Sequence, residues 1–371
     1  MSVVVITGAA GFVGKNLMAE FTNHRQHEVL DFDIGYSEDQ LELALARADF
    51  VFHLAGVNRP QDPREFETGN RDFTFHVLDI LERHGRAIPV VITSSAQAAL
   101  DNPYGASKRG AEELAFAWAK RTGGKALVYR LPGLFGKWCR PNYNSVVATF
   151  CHNIANGLPV QINDPDRKLD LVYIGDLLRE FLSALDGNPH VGPDGYCFVP
   201  VVHSITLQGL AGMLQSFHRS RTTLVLPDFD TPLQCALYAT YVSYLPERNF
   251  AIKPEMKHDH RGWLAELIKQ PGFGQVFVSR TKPGVTRGNH WHHTKVEKFI
   301  VLAGEAVIRF RKVGGDEVLE YPVSGEEISI VDIPAGYTHS ISNVGQTDVI
   351  TLFWTDEVFN PDNPDTYWLE V

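Results

Sequence analysis

Cysteine is scarce in this chain. Four occur in 371 residues, at Cys139, Cys151, Cys197 and Cys235, and none forms a C-x-x-C pair. Scattered thiols build neither a disulfide framework nor a cysteine metal site, and such usage points to a reducing compartment. Long apolar runs are also missing: none approaches the roughly 20 residues that cross a bilayer. The opening S-V-V-V-I lacks the charged flank and length of a secretory signal. A cytoplasmic protein with no membrane partner is therefore expected. Positive charge is in deficit, with a formal net charge of -10. That balance argues against nucleic acid or anionic lipid as partner, because neutralising phosphate needs a basic face. A local basic pocket for a small anion stays compatible with it. No internal repeat, low-complexity tract or long charge run interrupts the chain.

What remains is ordinary globular material, 44% apolar and 21% charged, long enough for two domains. Up to about Leu185, short apolar runs (Val3 to Ile6, Val29 to Phe32, Phe50 to Leu54, Val90 to Ile92, Ala126 to Tyr129) alternate with helical stretches such as Gln40 to Ala48 and Ala111 to Lys120. This alternation predicts an α/β doubly wound, Rossmann-like parallel sheet. After Pro246 the texture changes. Strand-like runs (Gln275 to Ser279, Lys298 to Leu302, Ala306 to Phe310, Glu327 to Ile333, Val349 to Trp354) recur between turns, which predicts an all-β barrel or jelly roll. The expected domains are 1–247 and 252–371.

The first run leads into T-G-A-A-G-F-V-G, with Gly8, Gly11 and Gly14 three apart at the entry to a helix. Glycine is needed there so that the backbone can turn tightly and a pyrophosphate can approach free N–H groups at the helix start. Phe12, Val13 and the stretch Leu54, Ala55 and Gly56 complete the expected dinucleotide site. Tyr104 and Lys108 stand four apart on one helix face, and Ser95 ends the preceding strand. In this trio Lys108 would lower the phenol's pKa and hold the cofactor ribose, while Tyr104 exchanges a proton with a carbonyl held by Ser95. Asp31 or Asp33, at the end of the second strand, could bind a ribose 2′-hydroxyl and favour NADH.

Farther on, G-N-H-W-H-H-T-K-V-E and P-A-G-Y-T-H-S bring together His290, His292, Glu297 and His339. His290 and His292, two apart on a strand, leave the same face. His339 follows a Pro-Gly connection, before a strand expected to resume at Ser340. Three imidazoles and a carboxylate suit one divalent metal: zinc, iron, nickel or manganese. His293 is expected to point the other way.

The N-terminal motifs, with H-L-A-G at His53 to Gly56, Asn70, R-L-P-G-L-F-G at Arg130 to Gly136 and L-D-L-V-Y-I-G-D at Leu169 to Asp176, resemble the extended short-chain dehydrogenase/reductase family. Members that dehydrate sugars carry an Asp-Glu pair where Ala96 and Gln97 stand here, so the resemblance implies a reductase or epimerase. The histidine segments resemble the cupin family. D-H-R-G-W-L-A-E at Asp259 to Glu266, Gln275, Ser279 and R-G-N-H at Arg287 to His290 resemble the cupin-type epimerases that act on nucleotide-linked 4-keto sugars. There the arginines matching Arg261 and Arg287 contact the nucleotide-sugar phosphates, and the residue matching His290 is the base. With His290 drawn to metal, Lys298 or Tyr337 are the candidates to replace it.

The order of both halves, N-R-P at Asn58, F-G-K-W-C at Phe135, K-P-G-V-T-R-G-N-H-W-H-H-T-K at Lys282 and the ending P-D-T-Y-W-L-E-V resemble a family of bifunctional capsular-polysaccharide enzymes. That resemblance implies a cupin that epimerises C3 of a UDP-2-acetamido-2,6-dideoxy-4-hexulose, and zinc is the expected divalent metal there. A reductase domain would then use NADPH at C4 to give the UDP-2-acetamido-2,6-dideoxy-L-talose product, on the route to UDP-N-acetyl-L-fucosamine. A UDP-linked 4-keto amino sugar is the expected small-molecule partner, and a homodimer the expected assembly. The alternatives are a single-function 4-ketosugar reductase with a non-catalytic cupin, a non-catalytic sugar-nucleotide-binding protein, and a metal-dependent cupin dioxygenase.

Overall fold

The computed structural model describes residues 2–23, 26–292, 294–362 and 364–371. Its first five strands, β1 (Val3–Thr7), β2 (Glu28–Phe32), β3 (Phe50–His53), β4 (Pro89–Ser95) and β5 (Lys125–Leu131), form one parallel sheet in the order β2-β1-β3-β4-β5. Helices Phe12–Asn23, Glu38–Arg47, Phe73–Arg83 and Pro103–Thr122 make the crossovers. Covered on both sides, the strands are apolar on both sides. Val4, Ile6, Phe50, Phe52 and Tyr129 pack into one core, and Val5, Val51, Val90, Ile92 and Val128 into the other. The strand order reverses beside β1, and a crevice opens there at the carboxyl ends of the strands.

Local chemistry fixes the helix that carries Tyr104. It starts eight residues before the expected Ala111, because Asn102 caps it, its Oδ1 accepting from Gly105 N at 2.8 Å, and Pro103 supplies a preset first-turn φ. Gly123, at φ 81°, ends it. A smaller sheet of Gly133–Phe135, Lys168–Tyr173 and His203–Thr206 completes this region.

The remaining strands form two antiparallel sheets. One has six strands in the order Ile330–Ile333, Glu297–Ala303, Val349–Thr355, Gly274–Thr281, Gly262–Gln270 and Met256–Asp259; the other has five, in the order Val318–Ser324, Glu305–Lys312, Tyr337–Asn343, Thr286–Trp291 and Tyr367–Trp368. The core takes alternate residues from both: Phe299, Val301 and Phe353 from the first, Ile308, Phe310 and Ile341 from the second. Phe277 and Phe353 stack 4.6 Å apart, and Phe299 meets Phe353 edge-on at the same spacing. The strand expected from Ser340 begins at Tyr337, so His339 lies inside it.

By contacts the chain separates into two compact units, residues 1–214 with 231–246 and residues 215–230 with 247–371. It therefore passes between units at 214/215, 230/231 and 246/247. Within the second unit, Leu224 and Leu226 exchange backbone hydrogen bonds with Lys269. Among the described residues no helix is long and apolar enough to cross a membrane.

Phe353 is touched by aromatic rings on both sides, so its loss leaves a cavity the sheet cannot close. Phe353→Ala is expected to cost about 3–5 kcal/mol, read as a lower denaturant midpoint for the β unit.

Candidate functional sites

The first site is a cleft of about 590 Å³ at the ends of β1, β3 and β4, lined by Gly11, Phe12, Leu54, Ser95, Tyr104 and Lys108 among others. The glycine loop is held by its own amides: Gly8 N donates to Phe32 O at 2.8 Å, and Ala10 N to Asp33 Oδ2 at 2.7 Å. Gly8 sits at φ 73°, and a Cβ there would stand 2.6 Å from Ala55 N. At Gly14 a Cβ would collide with Gly8 O and come within 2.6 Å of Ala9 Cα. Asp33 thus braces the loop, while Asp31 is exposed on β2.

Behind the loop, His53 is buried. Its Nδ1 lies 2.8 Å from Thr7 Oγ1 and its Nε2 3.0 Å from Thr74 Oγ1. Burial, with the Lys108 charge adding to it, pushes its pKa down to about 3, so the ring is neutral. Asn70, in a π-helical turn at Glu67–Asp72, ties two elements together: its side chain bonds Val57 N at 2.9 Å, Val57 O at 3.0 Å and Ser107 Oγ at 3.0 Å. That network fixes the Leu54–Val57 turn against the Tyr104 helix.

Ser95 and Tyr104 line the same cleft, and Ser95 Oγ accepts from Gln97 N at 3.2 Å. Lys108 is buried, its Nζ donating to Thr93 O at 3.1 Å and lying 6.0 Å from the Tyr104 ring centre. The expected lowering of the phenol's pKa is not what the geometry gives. Burial raises it, with Ser95 opposing, while the Lys108 ammonium is turned to the Thr93 carbonyl. Burial instead brings Lys108 down to about 8, with Glu112 one turn on pulling it back up. Sequence reasoning missed Trp138, Arg140 and Tyr143, which line the cleft from a loop where Trp138 (φ 69°) and Asn142 (φ 54°) are left-handed. The F-G-K-W-C string was its only signal.

The second site lies inside the β unit. The ligating atoms of His290, His292, Glu297 and His339 all fall within 4.8 Å of one another. Glu297 comes from the six-stranded sheet and His290 and His339 from the five-stranded one, where they pair directly. A bulge at Asn289 (φ 61°) after Gly288 (φ 95°) turns His290 inward beside His292. His292 Nε2 and His339 Nε2 are 3.4 and 3.3 Å from Glu297 Oε2, yet both are buried without a hydrogen-bond partner. The pull of burial would raise the Glu297 carboxyl, but the two imidazoles outweigh it and hold it below the usual range. Burial first, and His339 second, brings His290 down to about 4. Three imidazoles and a carboxylate gathered at one point, with the Nε2 atoms of His292 and His339 unpartnered, fit a divalent cation.

Arg287 pairs across the strands with the core residue Ile341 and so faces the same interior as His339. Its Nε donates to Thr281 Oγ1 at 3.0 Å, and its Nη2 stands 4.0 Å from Asp259, which also holds Arg261 at 2.5 Å. The two arginines are therefore neighbours, and burial with the Arg261 charge lowers the Arg287 pKa. Tyr337, two before His339, faces inward. Lys298 does not: it follows inward-facing Glu297, so its side chain leaves the opposite face and pairs with exposed Asp332. That removes it as the candidate base. His293 lies outside the described residues.

Residues 4–194 match the model of the NAD dependent epimerase/dehydratase family, and residues 257–367 that of the polysaccharide biosynthesis C-terminal domain. A UDP-2-acetamido-2,6-beta-L-arabino-hexul-4-ose reductase of Pseudomonas aeruginosa is 43% identical over 99% of this chain and 98% of its own. The crystal structure of the capsular polysaccharide assembling protein CapF from Staphylococcus aureus superposes with TM-score 0.94 at 48% identity, covering 99% of this chain and all of that one. A structure of CapF with the inhibitor 3-isopropenyl-tropolone gives TM-score 0.90 at 44% identity, covering 100% of both chains.

Between pH about 8 and the ordinary lysine value of 10.5, folded Lys108 binds fewer protons than the unfolded chain, so its contribution to stability rises with pH across that window. The stability gap between wild type and Lys108→Met should move in favour of wild type from about pH 8 to about pH 10, measured by urea midpoints. A gap independent of pH would contradict the buried-lysine assignment.

Proposed function

We propose, for a chain that belongs to the NAD dependent epimerase/dehydratase family, a two-step conversion of a UDP-linked 2-acetamido-2,6-dideoxy-4-hexulose. The β unit, read as a cupin, epimerises C3, and the α/β unit reduces the C4 ketone with NADPH to the L-talose product. The substrate class comes from the Pseudomonas reductase, which this chain matches along nearly its whole length. The epimerase half rests on one observation: two buried imidazole nitrogens without a hydrogen-bond partner, 3.4 and 3.3 Å from a buried carboxylate.

In the first unit NADPH, cradled by Gly8, Gly11, Gly14 and the Leu54–Gly56 turn, would supply hydride to C4. Ser95 holds the ketone oxygen and Tyr104 delivers its proton to that oxygen as the hydride arrives. Lys108 reaches the ribose side of the cleft and, when charged, stabilises the phenolate left behind. Raised by burial, the phenol keeps its proton until a bound carbonyl draws it.

In the second unit, one divalent ion held by His290, His292, Glu297 and His339, zinc being the natural choice for this donor set, would supply Lewis acidity for charge developing on O4. Arg261 and Arg287 are adjacent cations suited to a diphosphate. Tyr337 is the inward-facing group left to exchange the C3 proton. Order follows from chemistry, since reducing the C4 ketone removes what makes the C3 proton acidic. A single-function reductase with an inert β unit is the competing reading.

Separate variants distinguish the two. Tyr104→Phe should lower NADPH oxidation by about 10²–10⁴-fold while C3 inversion continues, followed by product chromatography and NMR. Glu297→Gln should abolish inversion and change the stereochemistry of whatever is reduced. An unchanged product from Glu297→Gln would leave the single-function reading standing.

A further inference from the structure

The ring of His292 is oriented by a residue far away in sequence. Asp365 O lies 2.6 Å from His292 Nδ1. A carbonyl oxygen can only accept, so Nδ1 carries the hydrogen and Nε2, on the Glu297 side, is the nitrogen left to ligate. The Asp365 side chain meanwhile gathers the turn that follows His292: its Oδ2 accepts from Thr294 N, Thr294 Oγ1 and Lys295 N, each at 3.0 Å.

The same stretch is anchored on both sides of Asp365. Lys295, itself buried, donates from Nζ to Pro364 O at 2.8 Å and to Thr366 Oγ1 at 3.1 Å. Beyond it, Tyr367 and Trp368 pair with Trp291 and His290, and Leu369 N donates to Asn289 O at 3.0 Å. Both histidines of the H-W-H run are thus clasped from residues 364–369. Asp365 takes φ 37°, on the left-handed side, where a short acidic or amide side chain is tolerated better than most. Turned this way, the residue points its carbonyl at His292 while its carboxylate reaches the 294–295 turn.

We infer that Asp365 is a positioning residue for the proposed metal centre, fixing the tautomer and tilt of His292 through its carbonyl and holding that carbonyl in place through its carboxylate. The inference rests on the reading of the histidine cluster as a metal site. Partners of this kind restrict a ligand ring to the orientation a metal needs, and their loss weakens metal binding without touching a ligand. Asp365→Ala removes all three bonds to the turn and places a less tolerant residue at a left-handed position. Asp365→Asn keeps an acceptor oxygen and the left-handed tolerance.

The test uses the full chain stripped of metal, titrated with zinc against a chromogenic chelator, and loaded with cobalt(II) for its visible d–d absorption. Asp365→Ala should bind zinc about 10–100-fold more weakly and show an altered cobalt band, while Asp365→Asn returns both towards wild type. If Asp365→Ala does not fold, Lys295→Met, which cuts the two Nζ bonds to the same stretch, carries the same expectation for affinity and band. Wild-type affinity with an unaltered cobalt band in the folded variant would overturn the inference while leaving the metal reading intact. A wild-type chain that takes up neither ion would overturn the metal reading, and the inference with it.

Discussion

A β-strand sends successive side chains to opposite faces, and that parity decides what the second unit can do. Once Ile341 and Phe299 are committed to the core, His339 and Tyr337 must face inward with the first and Glu297 with the second. Arg287, opposite Ile341, is drawn in as well. The same rule turns Lys298 outward to Asp332. Burial then makes the inward polar groups consequential. Buried imidazole nitrogens that meet a carboxylate without a hydrogen-bond partner leave a deficit, and a shared cation resolves it. In the first unit the helical period plays the corresponding part, stacking Tyr104 and Lys108 on one face over the end of β4.

The chemistry proposed for each unit follows from what burial does to its ionisable groups. Lys108 is pushed towards neutrality and Tyr104 towards holding its proton, which suits a proton donor that acts only when a carbonyl is in place. His290 is kept neutral, the form that ligates. Neither unit needs strongly reactive side chains, because the reactivity lies in a ketone flanked by an acidic C–H.

Much of this was legible in the sequence because the motifs are local. The glycine turn, the Tyr-x-x-x-Lys spacing and H-x-H with its glutamate each lie within a few residues of one strand or helix. The two fold classes followed from periodicity. What was hidden depends on distance or on irregular backbone. Asp365 meets His292 across 73 residues, and nothing in the P-D-T-Y-W-L-E-V ending that contains it points to the histidines. Asn70 owes its reach to a π-helical turn, and His290 its aim to a bulge with two left-handed residues. Segment 215–230 joins the second unit through contacts no composition shift announces. Lys298 was a different kind of failure, since its outward direction follows from that of Glu297 and strand parity alone would have excluded it.

The central claim is that the β unit moves a proton at carbon independently of the reductase. Incubating the full chain with the UDP-linked 4-keto sugar in D₂O, without and then with NADPH, and reading C3 by NMR tests it directly. Deuterium at C3 in the absence of NADPH, carried into the reduced product in its presence, is the predicted result. Reduction with no deuterium at C3 under either condition would contradict it.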